Sequence, residues 1–356
     1  MGKKSKIVFV GLSGGVDSSV AALRLIKEGY TVVGVFIKVW HPDFLECNWE
    51  QERLDAMRIA AKLEIPFLTC DAEEAYEKSV AAYFIKEYTE GRTPNPDVMC
   101  NKHVKFGAFL KFALAHGADY IATGHYAQVV NNENSFSLFR GYDSTKDQSY
   151  FLWTLTQEQL ARVLLPVGNS TKLQIRAEAK EADLLTAEKK DSQGICFLGH
   201  IDIPVFLSHY VDLISGDVID ENMNVIGIHE GALVYTIGQR HGFKINSKNE
   251  LREAYYVVAK DIQKNIIVVS TKKPQLVAQE EMTLSETNYI AWKPKIDEQI
   301  EVQTRYRQNP SSCIITKISN SEIELTSLDT TEQVSVGQSC VLYKDNQCIG
   351  GGIISL

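Results

Sequence analysis

The sequence lacks several features that would each have pointed to a function class. Its seven cysteines, Cys47, Cys70, Cys100, Cys196, Cys313, Cys340 and Cys348, are irregularly spaced and form no Cys-x-x-Cys pair. That argues against both a secreted disulfide framework and a zinc or iron–sulfur cage. No apolar run approaches the roughly 20 residues of a membrane-spanning helix. Basic charge is not in excess: 37 Lys and Arg stand against 45 Asp and Glu, for a net charge of −8. A polyanion partner would therefore need a local basic face. The opening residues, Met1 to Lys6, lead straight into a strand-like run with no signal-peptide apolar stretch, so a cytoplasmic protein is expected. Neither an internal repeat nor a low-complexity segment occurs.

What is present is an ordinary globular composition, 44% hydrophobic and 23% charged, over 356 residues, enough for two or three domains. The first third alternates strand-like runs (Ile7 to Leu12, Thr31 to Trp40, Pro66 to Cys70, Tyr120 to Ala122) with helical ones (from Val16, Gln51 to Leu63, Ala72 to Glu90, Val104 to His116). That order predicts an α/β fold with a parallel sheet covered by helices on both faces. Two further helices are expected between Thr156 and Leu184, one presenting Leu160, Val163 and Leu164 and the other Ile175, Ala179 and Ala182. Beyond about residue 200 short alternating strands take over, and the last eighty residues read as a small β-barrel. The expected domains are residues 1–200, a small central unit at 201–276, and the barrel at 277–356.

The strongest local signal is Gly11-Leu12-Ser13-Gly14-Gly15-Val16-Asp17-Ser18-Ser19, set between a buried strand and a helix. Its glycines let the backbone approach a phosphate, and the helix start and serine hydroxyls supply donors. Asp17 could hold the magnesium of a nucleotide. No lysine closes the loop as a Walker motif requires, so γ-phosphate transfer is not the implied chemistry. The alternative is a Gly/Ser-rich turn that merely caps a helix. A second signal, Arg92-Thr93-Pro94-Asn95-Pro96-Asp97-Val98-Met99-Cys100-Asn101-Lys102, sets a carboxylate three residues before a thiol. If the chain turns helical after Pro96, the two share a face. Asp97 could then shuttle protons, while Lys102 and His103 could favour a thiolate at Cys100. Cys100 could equally be a small buried hydrophobe. A third, Lys189 to Leu198, carries Cys196, which taken alone reads more readily as core than as catalyst.

In combination these segments are more specific. Together with Ala-Thr-Gly-His-Tyr at 122–126, Lys-Asp-Gln-Ser-Tyr-Phe-Leu at 146–152, Asp-Ser-x-Gly-Ile-Cys-Phe at 191–197, Thr-Ile-Gly-Gln-Arg at 236–240, Arg305-Tyr306-Arg307-Gln308 and Gly337-Gln338-Ser339, the chain resembles the bacterial tRNA-specific 2-thiouridylases along essentially its whole length. The first loop resembles the pyrophosphate loop of the N-type ATP pyrophosphatases.

The resemblance implies replacement of the C2 oxygen of the wobble uridine by sulfur, in tRNAs for Lys, Glu and Gln, with Mg²⁺ as cofactor and ATP consumed to give AMP and pyrophosphate. It implies that Gly11, Leu12, Ser13, Gly14, Gly15, Val16, Asp17 and Ser18 hold ATP, with Ile37 and Gly124 beside the adenosine. Cys196 would carry a persulfide loaded by a cysteine desulfurase or sulfur relay, and Cys100 would resolve it through a disulfide with Cys196. Asp97 would be the general acid/base, and Asn95, Pro96 and Asp97 would line the flipped base. By the same resemblance His125, Lys146, Asp147, Gln148, Arg305, Tyr306 and Gln338 touch the tRNA, aided by the basic stretches Lys102 to Lys111 and Arg162 to Lys190. Two rivals differ in class. One is an enzyme that adenylylates an oxygen and admits an amine, which needs no cysteine pair; the other is a tRNA-binding protein without catalysis, which needs no Asp97, Cys100 or Cys196.

Overall fold

The computed structural model describes residues 5–45, 49–190, 202–246, 254–272, 276–278, 281–319, 321–332 and 334–355. Its first layer is a parallel sheet of β1 (Ile7–Gly11), β2 (Thr31–Lys38), β3 (Phe67–Asp71) and β4 (Tyr120–Ala122), to which a two-residue strand, Val163–Leu164, is added. Across the sheet the order is β3, β2, β1, β4, Val163–Leu164, with every pair parallel. A strand buried on both faces reads as a continuous apolar run, as Ile-Val-Phe-Val does in β1. Alternation then sends Val8 and Val10 to one core and Phe9 to the other.

The Val8 face is covered by α1 (Val16–Lys27), α2 (Trp49–Lys62) and the helix Lys172–Glu181, through Val20, Leu25, Ile59, Ile175 and Ala179. The opposite face is covered by a helical segment from Glu73 to Thr89 and another from Pro96 to Ala115. This last segment starts eight residues before the expected Val104. Asn95 caps it, its side chain accepting from Val98 N at 3.3 Å, and Pro96 fills the first turn, where its missing N–H costs nothing. From Cys100 to Ala108 the segment is wound as π-helix, flanked by α-helical turns. Where two helices were expected between Thr156 and Leu184, only Gln157–Leu160 and Lys172–Glu181 are helical, and Val163 and Leu164 extend the sheet beside β4. Their spacing from Leu160 imitates an amphipathic helix, but neighbouring backbone offers them a ladder instead.

Six strands close the C-terminal barrel, in the order Glu281–Tyr289, Ile323–Ser327, Ser311–Ile318, Gln299–Gln303, Ser339–Lys344 and Gln347–Ser355, with the first and last paired. Met282, Leu284, Ile300, Ile315, Leu325, Leu342 and Ile349 fill it. A hairpin of β5 (Ala127–Asn132) and β6 (Ser135–Arg140), which the sequence did not suggest, leaves the first layer and pairs with the barrel's last strand, Phe139 opposite Gln347 and Leu138 opposite Cys348. One apolar core therefore runs from Ile37 and Phe109 through Trp153 to Val341 and Tyr343. The chain between the first layer and the barrel forms a five-stranded sheet, Phe243–Ile245, Val225–His229, Gly216–Ile219, Ile266–Ser270 and Tyr256–Asp261, whose core reaches Phe84 and Tyr88 of the first layer. Among the described residues no helix is long and apolar enough to cross a membrane.

Candidate active site

Strand order locates a crevice before any residue is considered. The chain leaves β1 toward β2 and β3 on one side, whereas β4 lies on the other, so the carboxyl ends of β1 and β4 diverge at a topological switch point, where ligands bind in sheets of this kind. Gly11 to Ser18 leaves β1 there and Thr123 to Tyr126 leaves β4. Gly14 turns the loop at φ +71°, and a Cβ on it would lie 2.9 Å from Glu52 O, so both conformation and space demand glycine. Gly15 caps α1 with no side chain to satisfy the first-turn N–H groups, which leaves the positive end of a 12-residue helix facing the crevice. Ser18 Oγ donates to Gly15 O at 3.1 Å and lies 3.4 Å from Ser13 Oγ. Gly124 closes the cradle from the β4 side: a Cβ there would sit 2.7 Å from both Asp17 C and Ser18 N. Leu12, Val16 and Ile37 are core residues beneath, Ile37 lying under Gly11. A glycine-lined cradle at an uncapped helix start fits a polyphosphate.

Asp17 is paired. Both its oxygens accept from Lys172 Nζ at 2.7 Å, and Oδ1 also accepts from Tyr126 Oη at 2.7 Å. Lys172 opens the helix Lys172–Glu181; Thr171 caps that helix in a reciprocal capping box with Gln174, and Lys172 N donates to Asp143 Oδ2 at 3.0 Å. Arg24 of α1 docks this helix through Glu178, donating from Nε at 2.9 Å, and through Pro166 O at 2.8 Å. A second lysine, Lys189, donates to Asp55 at 2.7 Å on the α2 side of the loop. Neither Lys172 nor Tyr126 was singled out as a site residue. Tyr126 closes the Ala-Thr-Gly-His-Tyr motif, but nothing in the sequence marks Lys172. Among the described residues no group of three or more His, Cys, Asp or Glu could hold a metal. A magnesium at Asp17 would take most of its oxygens from phosphate and water.

The segment carrying Asp97 and Cys100 is fastened from three sides. Arg92 forms a fork on Glu87, at 2.6 and 2.5 Å, and reaches Glu90. Thr93 Oγ1 meets Thr236 Oγ1 of the central unit at 3.1 Å. From the barrel, Val336 O accepts from Thr93 N at 2.9 Å, and Gln338 Nε2 donates to the Thr93 and Pro94 carbonyls at 3.0 and 3.1 Å. Gly337 (φ +91°) allows that approach, since a Cβ on it would lie 2.9 Å from Thr93 O. Gln338 therefore positions the loop in this structure. Asn95 and Cys100 are buried, and Asp97, one turn before Cys100, is half-buried. Cys100 is a free thiol, so the disulfide with Cys196 is not formed here; Cys196 and the motif 191–197 lie outside the described residues. Burial, with the nearby Lys102, pushes the His103 imidazole below its ordinary value.

The residues expected to touch tRNA divide into two groups. Arg305 and Tyr306 stay half-exposed on the barrel. Arg305 reaches Ile237 O in the Thr236 to Arg240 motif at 3.4 Å, and Tyr306 packs on Phe151 with ring centroids 4.5 Å apart. Lys146 is also half-exposed. Asp147 and His125 instead face inward. Asp147 is buried and accepts from Arg140 Nη1, Gly141 N, Ser149 N and Ser149 Oγ, so its oxygens organise the 140–149 loop rather than meet RNA. Gln148 ties that loop to Tyr126 through Tyr126 N→Gln148 Oε1 at 3.0 Å and Gln148 N→Tyr126 O at 2.8 Å. His125 is buried, with Nδ1 2.8 Å from Thr123 Oγ1. Desolvation, aided by Lys105, holds its imidazole well below the usual histidine range. The unfolded chain therefore binds a proton near pH 6.5 that the folded chain refuses, so stability is full above that pH and lost as pH falls. The expected loss is up to about 1.4 kcal/mol per pH unit for this group. His125→Asn should flatten the decline in melting temperature between pH 7 and 5; a variant whose profile parallels the wild type would contradict the assignment.

Comparison with known proteins identifies the family. Residues 6–200 match the family model described as the tRNA methyl transferase HUP domain, residues 205–271 the tRNA methyl transferase PRC-barrel domain, and residues 279–354 the aminomethyltransferase beta-barrel domain. The chain is 44% identical to tRNA-specific 2-thiouridylase MnmA of Colwellia psychrerythraea, with 98% of this chain and 95% of that protein aligned. It is 42% identical to the same enzyme of Methylobacillus flagellatus, over 98% and 99%, and 41% identical to that of Francisella tularensis subsp. holarctica, over 99% of each chain. Among solved structures, a 4-thiouridine synthetase–RNA complex with bound ATP overlays with a TM-score of 0.36 at 20% identity, over 55% of this chain and 45% of that one, a likeness too slight to add weight. On the sequence matches, which run almost from end to end, this chain belongs to the tRNA-specific 2-thiouridylase family.

Proposed function

We propose that this protein replaces the C2 oxygen of the wobble uridine, U34, of tRNA with sulfur, using ATP. What supports the reading is that one helical segment serves both halves of the chemistry. Pro96–Ala115 bears Asp97 and Cys100 at one end, and its Phe109 packs under Gly11 of the phosphate loop. Nine residues separate Cys100 from Phe109, at most about 14 Å along the axis.

A uracil C2 carbonyl is a poor electrophile, and oxide is not a leaving group. Attack of the C2 oxygen on the α-phosphorus of ATP expels pyrophosphate and makes that oxygen part of AMP. Sulfur from a Cys196 persulfide then bonds to C2 and AMP departs with the oxygen. Cys100 completes the exchange by attacking Cys196 Sγ, either after the persulfide has bonded to C2 or before, releasing hydrosulfide. Both orders leave a Cys100–Cys196 disulfide, so each turnover needs an external thiol reductant and a fresh persulfide from a cysteine desulfurase or relay protein. In this reading Gly11 to Ser18 hold the triphosphate, Asp17 takes its magnesium, Gly124 and Ile37 shape the adenosine side, and Asp97 moves the proton. Asn95 and Pro96 line the base, Arg305, Tyr306 and Lys146 meet RNA phosphates, and Gln338 holds the loop they act across. The tRNAs would be those for Lys, Glu and Gln, in the cytoplasm.

The nucleotide products test the reading without sulfur chemistry. Incubated with ATP, magnesium and unmodified tRNA, the protein should form AMP and pyrophosphate, resolved by ion-exchange chromatography. ADP and phosphate would sink it, because a loop without a Walker lysine is built for cleavage at the α-phosphorus.

A further inference from the structure

The phosphate loop contains no lysine, yet the fold delivers one to it from 155 residues away. Lys172 Nζ sits 2.7 Å from both oxygens of Asp17, and its side chain is only 12% exposed. Its placement is over-determined. The capping box at Thr171 starts its helix, Asp143 holds its backbone N–H, and the Arg24–Glu178 pair docks the helix onto α1. Tyr126 Oη completes the set around the carboxylate, and Gln148 fixes Tyr126 in turn. So much structure spent on presenting one ammonium to the first turn of α1 exceeds what a helix-docking contact needs, since Arg24 already provides that. Asp17 is the second residue of α1 and Ser18 N the third, so an ammonium on Asp17 borders the N–H groups that would receive phosphate oxygens.

We propose that Lys172 is a phosphate-binding residue supplied from outside the loop by a distant part of the same chain, and that its pair with Asp17 is exchangeable. When a magnesium nucleotide binds, the metal takes the Asp17 carboxylate and the Lys172 ammonium turns to the phosphate oxygens. The exchange keeps charge balanced at each step: the carboxylate passes from one cation to another, and the ammonium from one anion to another. Tyr126 holds the carboxylate in place while its partner changes. The proposal rests on the reading of Gly11 to Ser18 as an ATP site, and it adds a residue that the loop motif lacks.

Equilibrium titration with α,β-methylene-ATP, which resists cleavage at the α-phosphorus, separates the possibilities. In the presence of magnesium, Lys172→Ala and Lys172→Gln should bind about ten- to hundredfold more weakly than the full-length wild type, the loss of one charge-assisted contact. Lys172→Arg should recover most of the affinity. Melting temperatures of Lys172→Gln close to wild type would separate lost phosphate binding from a lost helix contact. Asp17→Asn gives the sharper result. With its carboxylate removed, Asp17 no longer competes with phosphate for Lys172 in the absence of metal, so the analogue in EDTA should bind this variant more tightly than wild type, and magnesium should no longer improve binding. Wild-type affinity in both Lys172→Ala and Lys172→Gln, or metal-free affinity that does not rise in Asp17→Asn, would overturn the exchange while leaving the ATP site standing. A wild type that does not bind the analogue would overturn the ATP site itself.

Discussion

Cys100→Ser should abolish sulfur insertion while pyrophosphate release from ATP stays measurable. The two halves of the reaction draw on different parts of the fold. Activation of the uridine oxygen needs the cradle at the carboxyl ends of β1 and β4, which the thiol does not touch; resolution of the persulfide needs a second sulfur able to form a disulfide. Serine is close to cysteine in size, and Cys100 is a free, fully buried thiol packed with Val98, Met99 and Val104, so the substitution leaves the segment's packing nearly intact. A hydroxyl cannot form the disulfide with Cys196 that releases the sulfur, and thiolation should fall by about a thousandfold or more, as when one member of a cooperating catalytic set is lost. Cys196→Ser should fall as far, because it removes the carrier. The measurement is parallel assay of pyrophosphate and of 2-thiouridine. Loss of both in Cys100→Ser, at unchanged melting temperature, would mean that the thiol takes part in activation.

Gly124→Ala should fail at the opposite step. A single methyl group there would lie 2.7 Å from Asp17 C, 2.7 Å from Ser18 N and 2.9 Å from Asp17 Cβ, all closer than non-bonded carbon contacts tolerate. Two of those three neighbours are backbone atoms of the first turn of α1, which cannot swing aside as a side-chain tip would. The turn must move, and with it the N–H groups of the phosphate cradle and the Asp17 carboxylate. Overpacking of this kind costs about 1–3 kcal/mol of stability. Its greater effect should be on the nucleotide, since a displacement of a few tenths of an ångström spoils several phosphate contacts together; ATP affinity should fall by about a hundredfold. Titration with the methylene analogue checks this, and wild-type affinity would show that Gly124 does not border the phosphate site.

How much of this was legible in the sequence depended on range. The Gly11 to Ser19 loop could be read because strand, turn and helix start lie within nine residues, and each glycine has a local reason to be there. The parallel sheet and the barrel could be read because periodicity is local too. Lys172 could not, because its meaning comes from a partner 155 residues earlier and its own surroundings form an unremarkable helix start. The docking of the β5–β6 hairpin could not either, because the strand that β6 joins is the last strand of the barrel. Val163 and Leu164 were misread because two apolar residues three and four positions after Leu160 satisfy a helical pattern as well as a short buried strand. Asp147 and Gln338 show a different limit. A polar residue in a recognisable motif looks the same whether it touches RNA or holds a loop, and only the hydrogen bonds to Ser149 and Gly141, or to Thr93 and Pro94, separate the two. The Asn95-Pro96 start of the catalytic segment was legible in part, since cap and first-turn proline are both helix-start signals.

The most direct test of the account is mass spectrometry of nucleosides from an unmodified wobble-uridine tRNA incubated with the protein, ATP, magnesium, a persulfide-generating cysteine desulfurase and a thiol reductant. The account expects 2-thiouridine at the wobble position, formed only when ATP is present and matched one for one by AMP. ATP turned over to AMP with uridine left unchanged, or sulfur added without ATP, would contradict it.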